Sequence, residues 1–180
     1  MDILIRKEEY NPFKLTALKR NKLSSPMQYL LDKGYISKDK YLLDYGCGYG
    51  DDIKILNSEY GFKTLGYDKY NSKFKNDLIF KSIFKPDVVT CNYVFNTIHN
   101  LLEHKRVVHR LRLLCNDVYI SVRRDSNAIK NSWVYDKLNM TYKTNRGSYQ
   151  RFYNLLMINK LFGKVEIINA TNSYILFKLK

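Results

Sequence analysis

The stretch that decides the fold reads Leu42-Leu43-Asp44-Tyr45-Gly46-Cys47-Gly48-Tyr49-Gly50-Asp51-Asp52. Residues 41–43 are apolar and predict a short buried strand, and the glycines at every second position predict a tight turn. Ile53, Ile55 and Leu56 then begin the apolar spacing of a helix. The stretch therefore predicts a strand, a glycine turn and a helix. In that arrangement the glycine backbone and the free N–H groups of the helix start can approach a ligand closely.

Two features of this turn indicate which kind of ligand it takes. The dinucleotide-binding fingerprint places two residues between its second and third glycines, whereas only Tyr49 stands between Gly48 and Gly50. Asp51 and Asp52 already fill the anion-attracting start of the helix, which disfavours a pyrophosphate. A ligand that carries an amino group and a sulfonium fits these acids. A purely structural turn is the alternative.

The pattern Asp44-x-Gly46-x-Gly48-x-Gly50 resembles the first motif of the class I S-adenosylmethionine-dependent methyltransferases. The resemblance implies an α/β fold, the Rossmann-like three-layer sandwich, with a mostly parallel sheet that closes in a C-terminal antiparallel hairpin. It also implies S-adenosylmethionine as the cofactor. The cofactor contacts that it implies at this turn are Asp44, Tyr45, Gly46, Cys47, Gly48, Gly50 and Asp51.

A further acid ends the next predicted strand. Residues 64–68 form that strand in our prediction, and Asp68 ends it with Lys69 beside it. In class I methyltransferases the acid at this place accepts hydrogen bonds from the two ribose hydroxyls. The resemblance therefore implies that role for Asp68 and a cofactor contact from Lys69, and an ordinary strand-end aspartate is the alternative. Little chain separates Asp68 from the next strand, so we expect a reduced middle region with at most one short strand, over residues 78–83.

Polar residues follow the next buried strand, which Val88 and Val89 predict. The resemblance implies that Asn92 and Tyr93 contact the cofactor and flank the reacting methyl group. The sequence departs here from the Asp/Asn-Pro-Pro-Tyr motif of enzymes that methylate the exocyclic amines of adenine or cytosine. The predicted catalytic residues, which orient the acceptor or close the site, are Tyr93, Asn96 and Tyr149.

Histidines and cysteines give no sign of a metal site. His99, His104 and His109 lie at intervals of five residues on a helix that we predict over residues 97–114. That spacing rotates them around the helix, so they do not share a face as metal ligands would. The three cysteines form no C-x-x-C pair, so their spacing indicates no disulfide framework and no zinc site. We therefore predict no metal.

Arginines mark the expected substrate side. Residues 117–122 predict a strand, and Arg123 and Arg124 follow at its carboxyl end, the functional edge of an open α/β sheet. These arginines predict a bidentate grip on phosphate or an ion pair with Asp125. Residues 140–150 predict a polar loop with interleaved cations and aromatic rings, which suits nucleic acid and equally suits a solvent loop. The predicted substrate-binding residues are Arg123, Arg124 and Arg146.

The chain predicts one domain with an N-terminal addition. Residues 1–40 predict a helical cap or lid, and residues 41–180 predict the S-adenosylmethionine-binding domain. The cap is expected to hold a basic helix over residues 16–23 and a second helix that Ser25 caps, with Pro26 in its first position. Residues 153–161 predict the last helix, and residues 165–168 and 174–179 predict the closing hairpin.

The 180 residues carry a formal net charge of +14. Such a charge suits a polyanionic partner such as nucleic acid. Lysines are more than twice as frequent as arginines, so the composition of an AT-rich genome is an alternative explanation. No apolar run reaches the roughly 18 residues of a membrane span, and no signal peptide opens the sequence. We therefore expect a cytoplasmic protein without a membrane partner.

The chain also resembles a narrower group, the methyltransferases associated with DNA phosphorothioation. The shared stretches include Gly66-Tyr67-Asp68, Asn92-Tyr93-Val94-x-Asn96 and Arg146-Gly147-x-Tyr149-Gln150. The resemblance implies methyl transfer. Taken with the net charge, it leads us to predict a nucleic-acid substrate, with DNA favoured over RNA. Three alternatives stay open: a small-molecule or protein methyltransferase, a non-catalytic S-adenosylmethionine-binding module, and an enzyme whose protein partner supplies target recognition.

Overall fold

The structure, a computed structural model, describes residues 13–80, 85–124 and 126–180. Its main sheet has six strands in the order β2-β1-β3-β4-β9-β8. With strands numbered in chain order, these are β1 Tyr41–Tyr45, β2 Lys63–Tyr67, β3 Val88–Asn92, β4 Val118–Arg123, β8 Val165–Ala170 and β9 Tyr174–Leu179. The first four strands run parallel, and β9 is antiparallel to both β4 and β8. The mostly parallel sheet and its C-terminal antiparallel hairpin are confirmed.

Helices cover both faces of this sheet. They are α1 Phe13–Thr16, α2 Ser25–Asp32, α3 Asp51–Glu59, α4 Leu101–Leu114 and α5 Leu155–Phe162. Leu42 packs with the buried side chains of α2 and α3, whereas its neighbour Leu43 packs with those of α4 and α5. Successive strand residues point to opposite faces, so two buried clusters form on the two sides of the sheet. The result is the expected three-layer α/β sandwich.

The reduced middle region is also confirmed, although its expected strand is not. Leu78 lies in the 3-10 helix Asp77–Phe80, and no strand occurs in the described residues between β2 and β3. Residues 81–83 of the expected strand lie outside the described residues. Strand β2 therefore forms one edge of the sheet, and β3 pairs with β1 on the other side of β1.

Two local predictions in the N-terminal region were wrong. The short helix ends at Thr16, so most of residues 16–23 is not helical. Helix α2 begins as predicted with proline in its first turn, but its N-cap is Ser24 and that side chain makes no cap hydrogen bond. The Ser24 hydroxyl instead donates to Asp52 at 2.6 Å. Long-range hydrogen bonds outweigh the local capping preference here.

The segment between β4 and α5 is more ordered than a polar loop. It forms a small antiparallel sheet of β5 Val134–Asp136, β6 Thr141–Lys143 and β7 Tyr149–Gln150. Its strands have only two or three residues, which is too short for an alternating apolar pattern to show in the sequence. In the part of the chain that the structure describes, no helix is long and apolar enough to cross a membrane.

Candidate functional site

A cavity of about 620 Å³ lies at the carboxyl ends of β1, β2 and β3. Ligands of open α/β sheets bind at this edge. The cavity brings together most of the predicted cofactor contacts, namely Asp44, Tyr45, Gly46, Cys47, Gly48, Asp68, Lys69, Asn92 and Tyr93. Gly50 and Asp51, at the start of α3, do not line it, whereas the next residue, Asp52, does.

The glycine turn adopts a backbone that favours glycine. Gly46 has a φ of 77°, and its N–H donates to the carbonyl oxygen of Tyr67 at 2.6 Å. A Cβ on Gly46 would overlap with Cγ2 of Val94 in the segment after β3. The turn is therefore held between the ends of β2 and β3, and glycine is needed for both its conformation and its close approach.

Asp44 is a buried carboxyl in the wall of the cavity. Thr90 donates a hydrogen bond to Oδ1 of Asp44 at 3.0 Å. Burial, together with the nearby charge of Asp52, raises the pKa of Asp44 from 3.8 to about 8, although the hydrogen bond from Thr90 works in the opposite direction. A cationic ligand group would favour the charged form of this carboxyl, so Asp44 suits an ammonium group.

Asp68 organises the loop on the other side of the turn. Its Oδ2 accepts from the N–H of Gly48 at 2.9 Å, and its Oδ1 accepts from the N–H groups of Tyr70 at 2.9 Å and Asn71 at 3.1 Å. An ionised carboxylate has about four lone-pair sites, so capacity remains for a ligand hydroxyl. Lys69 lines the cavity beside it and pairs with Glu103 at 3.1 Å.

Asn92 and Tyr93 lie at the end of β3. Oδ1 of Asn92 accepts from the Ser121 hydroxyl at 2.9 Å, whereas its buried Nδ2 has no partner among the described residues. An unpaired buried donor is costly, and an acceptor on a ligand in this cavity would satisfy it. Tyr93 has a φ of 61°, a left-handed conformation that is rare for a bulky residue and occurs at functional sites. Burial raises the pKa of its hydroxyl to about 12.

Asn96 lines the cavity, but both ends of its side-chain amide hold backbone groups. Its Nδ2 donates to the carbonyl oxygen of Arg151 at 2.5 Å, and its Oδ1 accepts from the N–H of Arg123 at 3.1 Å. The residue therefore joins the segment after β3 to β4 and to the start of the α5 region. Tyr149 does not line the cavity; its ring stacks on His99 with centroids 3.8 Å apart, and His99 does line it.

The three predicted substrate arginines lie in different places. Arg123 lines the cavity, and its guanidinium lies over the ring of Phe152 at 5.2 Å. Arg146 lines an adjoining groove and not the cavity itself. Arg124 donates to the carbonyl oxygen of Thr171 at 3.2 Å and lines neither. Asp125, the alternative ion-pair partner, lies outside the described residues.

The sequence did not indicate several residues of the site. Two of them connect the N-terminal segment to α3. Oδ2 of Asp51 accepts from the N–H of Arg20 at 2.6 Å, and Asp52 accepts from both the N–H and the hydroxyl of Ser24. These bonds place Arg20 and Ser24 in the cavity wall. Residues 16–18 line it as well, so the lid that we predict from residues 1–40 would have its described part next to the cofactor cavity.

Arg151 is a further site residue that the sequence did not indicate, and it is fully buried. Its Nη2 donates to the carbonyl oxygens of His99 at 3.0 Å and Asn139 at 2.7 Å, and its Nη1 donates to the Tyr153 hydroxyl at 3.2 Å. The guanidinium thereby fixes the small sheet against the rim of the cavity. Only its position beside the Tyr149-Gln150 stretch could have drawn attention to it in the sequence.

The described residues contain no group of three or more histidine, cysteine or acidic side chains that could hold a metal ion. Burial raises the pKa of the Cys91 thiol well above its usual value, and burial also raises that of Cys47 in the glycine turn. Neither thiol is therefore activated as a nucleophile.

The fold and the cavity together define a class I S-adenosylmethionine-dependent methyltransferase. The sequence profile of the family described as Methyltransferase domain matches residues 16–165, so the chain belongs to this family. S-adenosylmethionine is its cofactor. The orphaned Asn92 amide, the buried Asp44 carboxyl and the glycine backbone fit the polar, cationic end of that molecule.

Solved structures confirm the fold. A protein of Pyrococcus horikoshii OT3 is 17% identical, with a TM-score of 0.61 over 86% of this chain and 89% of that chain. An S-adenosylmethionine-dependent methyltransferase of Clostridium acetobutylicum ATCC 824 is 13% identical, with a TM-score of 0.56 over 88% and 93%. The 1,6-didemethyltoxoflavin-N1-methyltransferase of Burkholderia thailandensis, solved with S-adenosylhomocysteine, is 13% identical, with a TM-score of 0.59 over 86% and 77%. No curated protein sequence matches the chain.

Proposed function

We propose that this methyltransferase modifies nucleic acid, and DNA in preference to RNA. The observation that carries the proposal is the position of Arg123, which lines both the cofactor cavity and an adjoining groove with further cations. A phosphate held by Arg123 would keep its nucleotide next to the methyl group. The net charge of +14 supports the same class of substrate, because basic surfaces attract polyanions. The preference for DNA rests on the resemblance to the phosphorothioation-associated enzymes.

In this proposal, three parts of the cavity hold the cofactor. Asp44 faces the ammonium group of the methionine end, the unpaired Nδ2 of Asn92 donates to an acceptor on the cofactor, and Asp68 accepts from a ribose hydroxyl. Bound S-adenosylmethionine supplies a methyl group that its sulfonium already activates for transfer. The protein then needs mainly to align an acceptor atom and to exclude water.

Tyr93 is the residue best placed to align that acceptor. Its strained backbone turns the side chain at the end of β3, where the ring packs edge-on against Tyr174 at 6.5 Å. Its hydroxyl is protonated at neutral pH, and burial raises the pKa further, to about 12, so the hydroxyl would donate or accept a hydrogen bond without acting as a base. Asn96 and Tyr149 would contribute indirectly, because Asn96 fixes the backbone of Arg123 and Tyr149 stacks on His99.

A small-molecule acceptor is the second candidate function. The cavity of about 620 Å³ would be shared with the cofactor, and its lining includes the aromatic side chains of Tyr45, Tyr67 and Tyr93, which suit a small molecule. The similar Burkholderia structure contains such an acceptor, 1,6-didemethyltoxoflavin. In that case Arg123 would hold a single anionic group, and the surrounding positive charge would reflect genome composition.

A labelled-methyl assay separates the two candidates. The enzyme and labelled cofactor are incubated with DNA, RNA or a nuclease-treated metabolite extract, for the wild type and for Arg123→Gln and Arg106→Gln. Arg106 is an exposed residue of α4 that lines neither the cavity nor the groove, so it is the matched control. We expect label in DNA, at least a tenfold loss with Arg123→Gln and little change with Arg106→Gln. Label that appears only in the nuclease-treated extract would overturn the nucleic-acid proposal in favour of the second candidate.

A further inference from the structure

A groove of about 290 Å³ adjoins the cofactor cavity. Arg123 and Gln150 line both spaces, so a ligand that extends from one reaches the other along these two side chains. The turn between β6 and β7 and the segment before β5 supply most of the other residues that line the groove. The groove therefore lies where the part of a substrate beyond its reacting group would rest.

Charge is the first property of the groove. Arg123, Lys130 and Arg146 line it, and no carboxylate occurs among the described residues of its lining. Lys130 and Arg146 are exposed, whereas Arg123 is half-buried with its guanidinium over the ring of Phe152. Three cations around one small space attract an anion, and the planar arginine side chains suit the two oxygens of a phosphate.

An aromatic face is the second property. Trp133 lines the same groove and is half-buried, so part of its ring system remains accessible. Every nucleobase has a π face, so any of the bases can stack on an aromatic side chain. Cations beside an accessible aromatic ring form the combination with which proteins bind single-stranded nucleic acid.

The groove is also held in shape by hydrogen bonds. Asn145 Nδ2 donates to the hydroxyl of Ser132 at 3.0 Å, which ties the turn that carries Arg146 to the residue before Trp133. Within that turn the N–H of Gly147 donates to the carbonyl oxygen of Thr144 at 2.9 Å. The backbone that carries Arg146 is thereby tied to the segment that carries Trp133, so this part of the groove needs little reordering when a ligand binds.

We propose that this groove binds the nucleotide next to the methylated one in a single strand. Its phosphate lies against Arg123, Lys130 and Arg146, and its base stacks on Trp133. The inference rests on the proposed function, whose substrate it narrows to unpaired nucleic acid or to a duplex that opens at the target. Gln150, which lines both spaces, lies between this nucleotide and the reacting one.

Fluorescence gives a direct test because Trp133 is the only tryptophan in the chain. A single-stranded DNA oligonucleotide is titrated into the full chain with S-adenosylhomocysteine, at several salt concentrations. We expect quenching of the tryptophan emission and an affinity that falls with salt. Arg146→Gln is expected to weaken binding by about tenfold and to reduce the slope of log K against log salt by about 0.7. Arg106→Gln is the matched control and leaves both quantities unchanged.

Thymidine monophosphate and a matched duplex are the comparison ligands. The proposal requires the single strand to bind at least tenfold more tightly than either of them. Equal affinity for the mononucleotide would overturn it in favour of a small-anion site, and the absence of quenching at low salt would overturn it outright. A labelled oligonucleotide followed by anisotropy tests Trp133→Ala, for which we expect a loss of at least fivefold.

Methyl transfer separates this inference from the proposed function. If the wild type methylates DNA and Arg146→Gln has an unchanged KM, the groove assignment is wrong while the function stands. If single strands quench Trp133 but DNA and RNA receive no label, the proposed function fails, and the groove binds single strands without a methylated neighbour.

Discussion

Replacing Gly46 by alanine tests how closely the glycine turn approaches the segment after β3. Gly46 has a φ of 77°, and an alanine Cβ would overlap with Cγ2 of Val94 while lying 3.3 Å from both Cβ and Cγ1 of that valine. Moving Cγ2 away requires a change of χ1, which is stiff in valine, and the Cβ of Val94 would still lie 3.3 Å from the new methyl group. Val94 therefore has to change its rotamer and also shift by a few tenths of an ångström.

Two terms make up the expected loss of stability. The left-handed conformation costs alanine about 1–2 kcal/mol, and overpacking against Val94 adds about 1–3 kcal/mol. Gly61→Ala is the matched control, since Gly61 has a φ of 70° and nothing within 4 Å of its Cβ position. Gly61→Ala therefore has only the cost of the left-handed conformation. We therefore expect Gly46→Ala to lower the free energy of unfolding by about 3 kcal/mol and Gly61→Ala by about 1 kcal/mol.

Urea unfolding measures both losses, and calorimetry measures cofactor binding by the folded variants. Gly46→Ala should weaken S-adenosylmethionine binding strongly, whereas Gly61→Ala should bind as the wild type does. A double-mutant cycle with Val94→Ala should return a favourable coupling of about 1–2 kcal/mol, because the smaller side chain relieves the overlap. Equal stability losses for the two glycine variants, with no coupling to Val94, would refute the close approach.

Three further predictions concern buried polar groups. Burial lowers the pKa of His104 from 6.5 to about 3, so its contribution to the free energy of unfolding is fully present above pH 6.5 and is lost as the pH falls toward 3. The free energy of unfolding, measured with urea, should therefore fall by about 2 kcal/mol between pH 7 and pH 5 because of this residue, and His104→Leu should remove that decrease. Arg151→Met leaves the carbonyl oxygens of His99 and Asn139 buried without their donor. The free energy of unfolding, measured with urea, should therefore fall by about 2–4 kcal/mol. Burial keeps Asp44 protonated at pH 7, so cofactor binding should release about one proton; calorimetry in buffers of different ionisation enthalpy should detect it, and Asp44→Asn should abolish it.

The parts of the site that the sequence predicted are local. The glycine turn, the strand-end acid Asp68 and the polar residues after β3 each follow an apolar strand within a few positions. Strand periodicity places such residues at one edge of a parallel sheet, so their meeting in one cavity could be inferred without a structure. The confirmed hairpin of β8 and β9 was predictable for the same reason, since both strands carry a readable apolar pattern.

The parts that the sequence did not predict depend on contacts between distant residues. Arg151 bonds to a carbonyl 52 positions away, and Asn96 bonds to the backbone of a residue 55 positions away. No local sequence pattern around either residue indicates a hydrogen bond to a distant backbone group. The groove around Trp133 was also missed, because it needs the small sheet, whose strands are too short to be recognised.

The central claim is that this cavity holds S-adenosylmethionine, with Asp68 on the ribose. Calorimetric titration with S-adenosylmethionine and S-adenosylhomocysteine tests it for the wild type, for Asp68→Ala and for Asp39→Ala, an exposed carboxylate that lines neither the cavity nor the groove. Circular dichroism verifies that each variant is folded. The account predicts dissociation constants on the order of micromolar for the wild type and Asp39→Ala, and binding at least tenfold weaker for Asp68→Ala. Equal affinity of all three proteins, or no binding by the wild type, would contradict it.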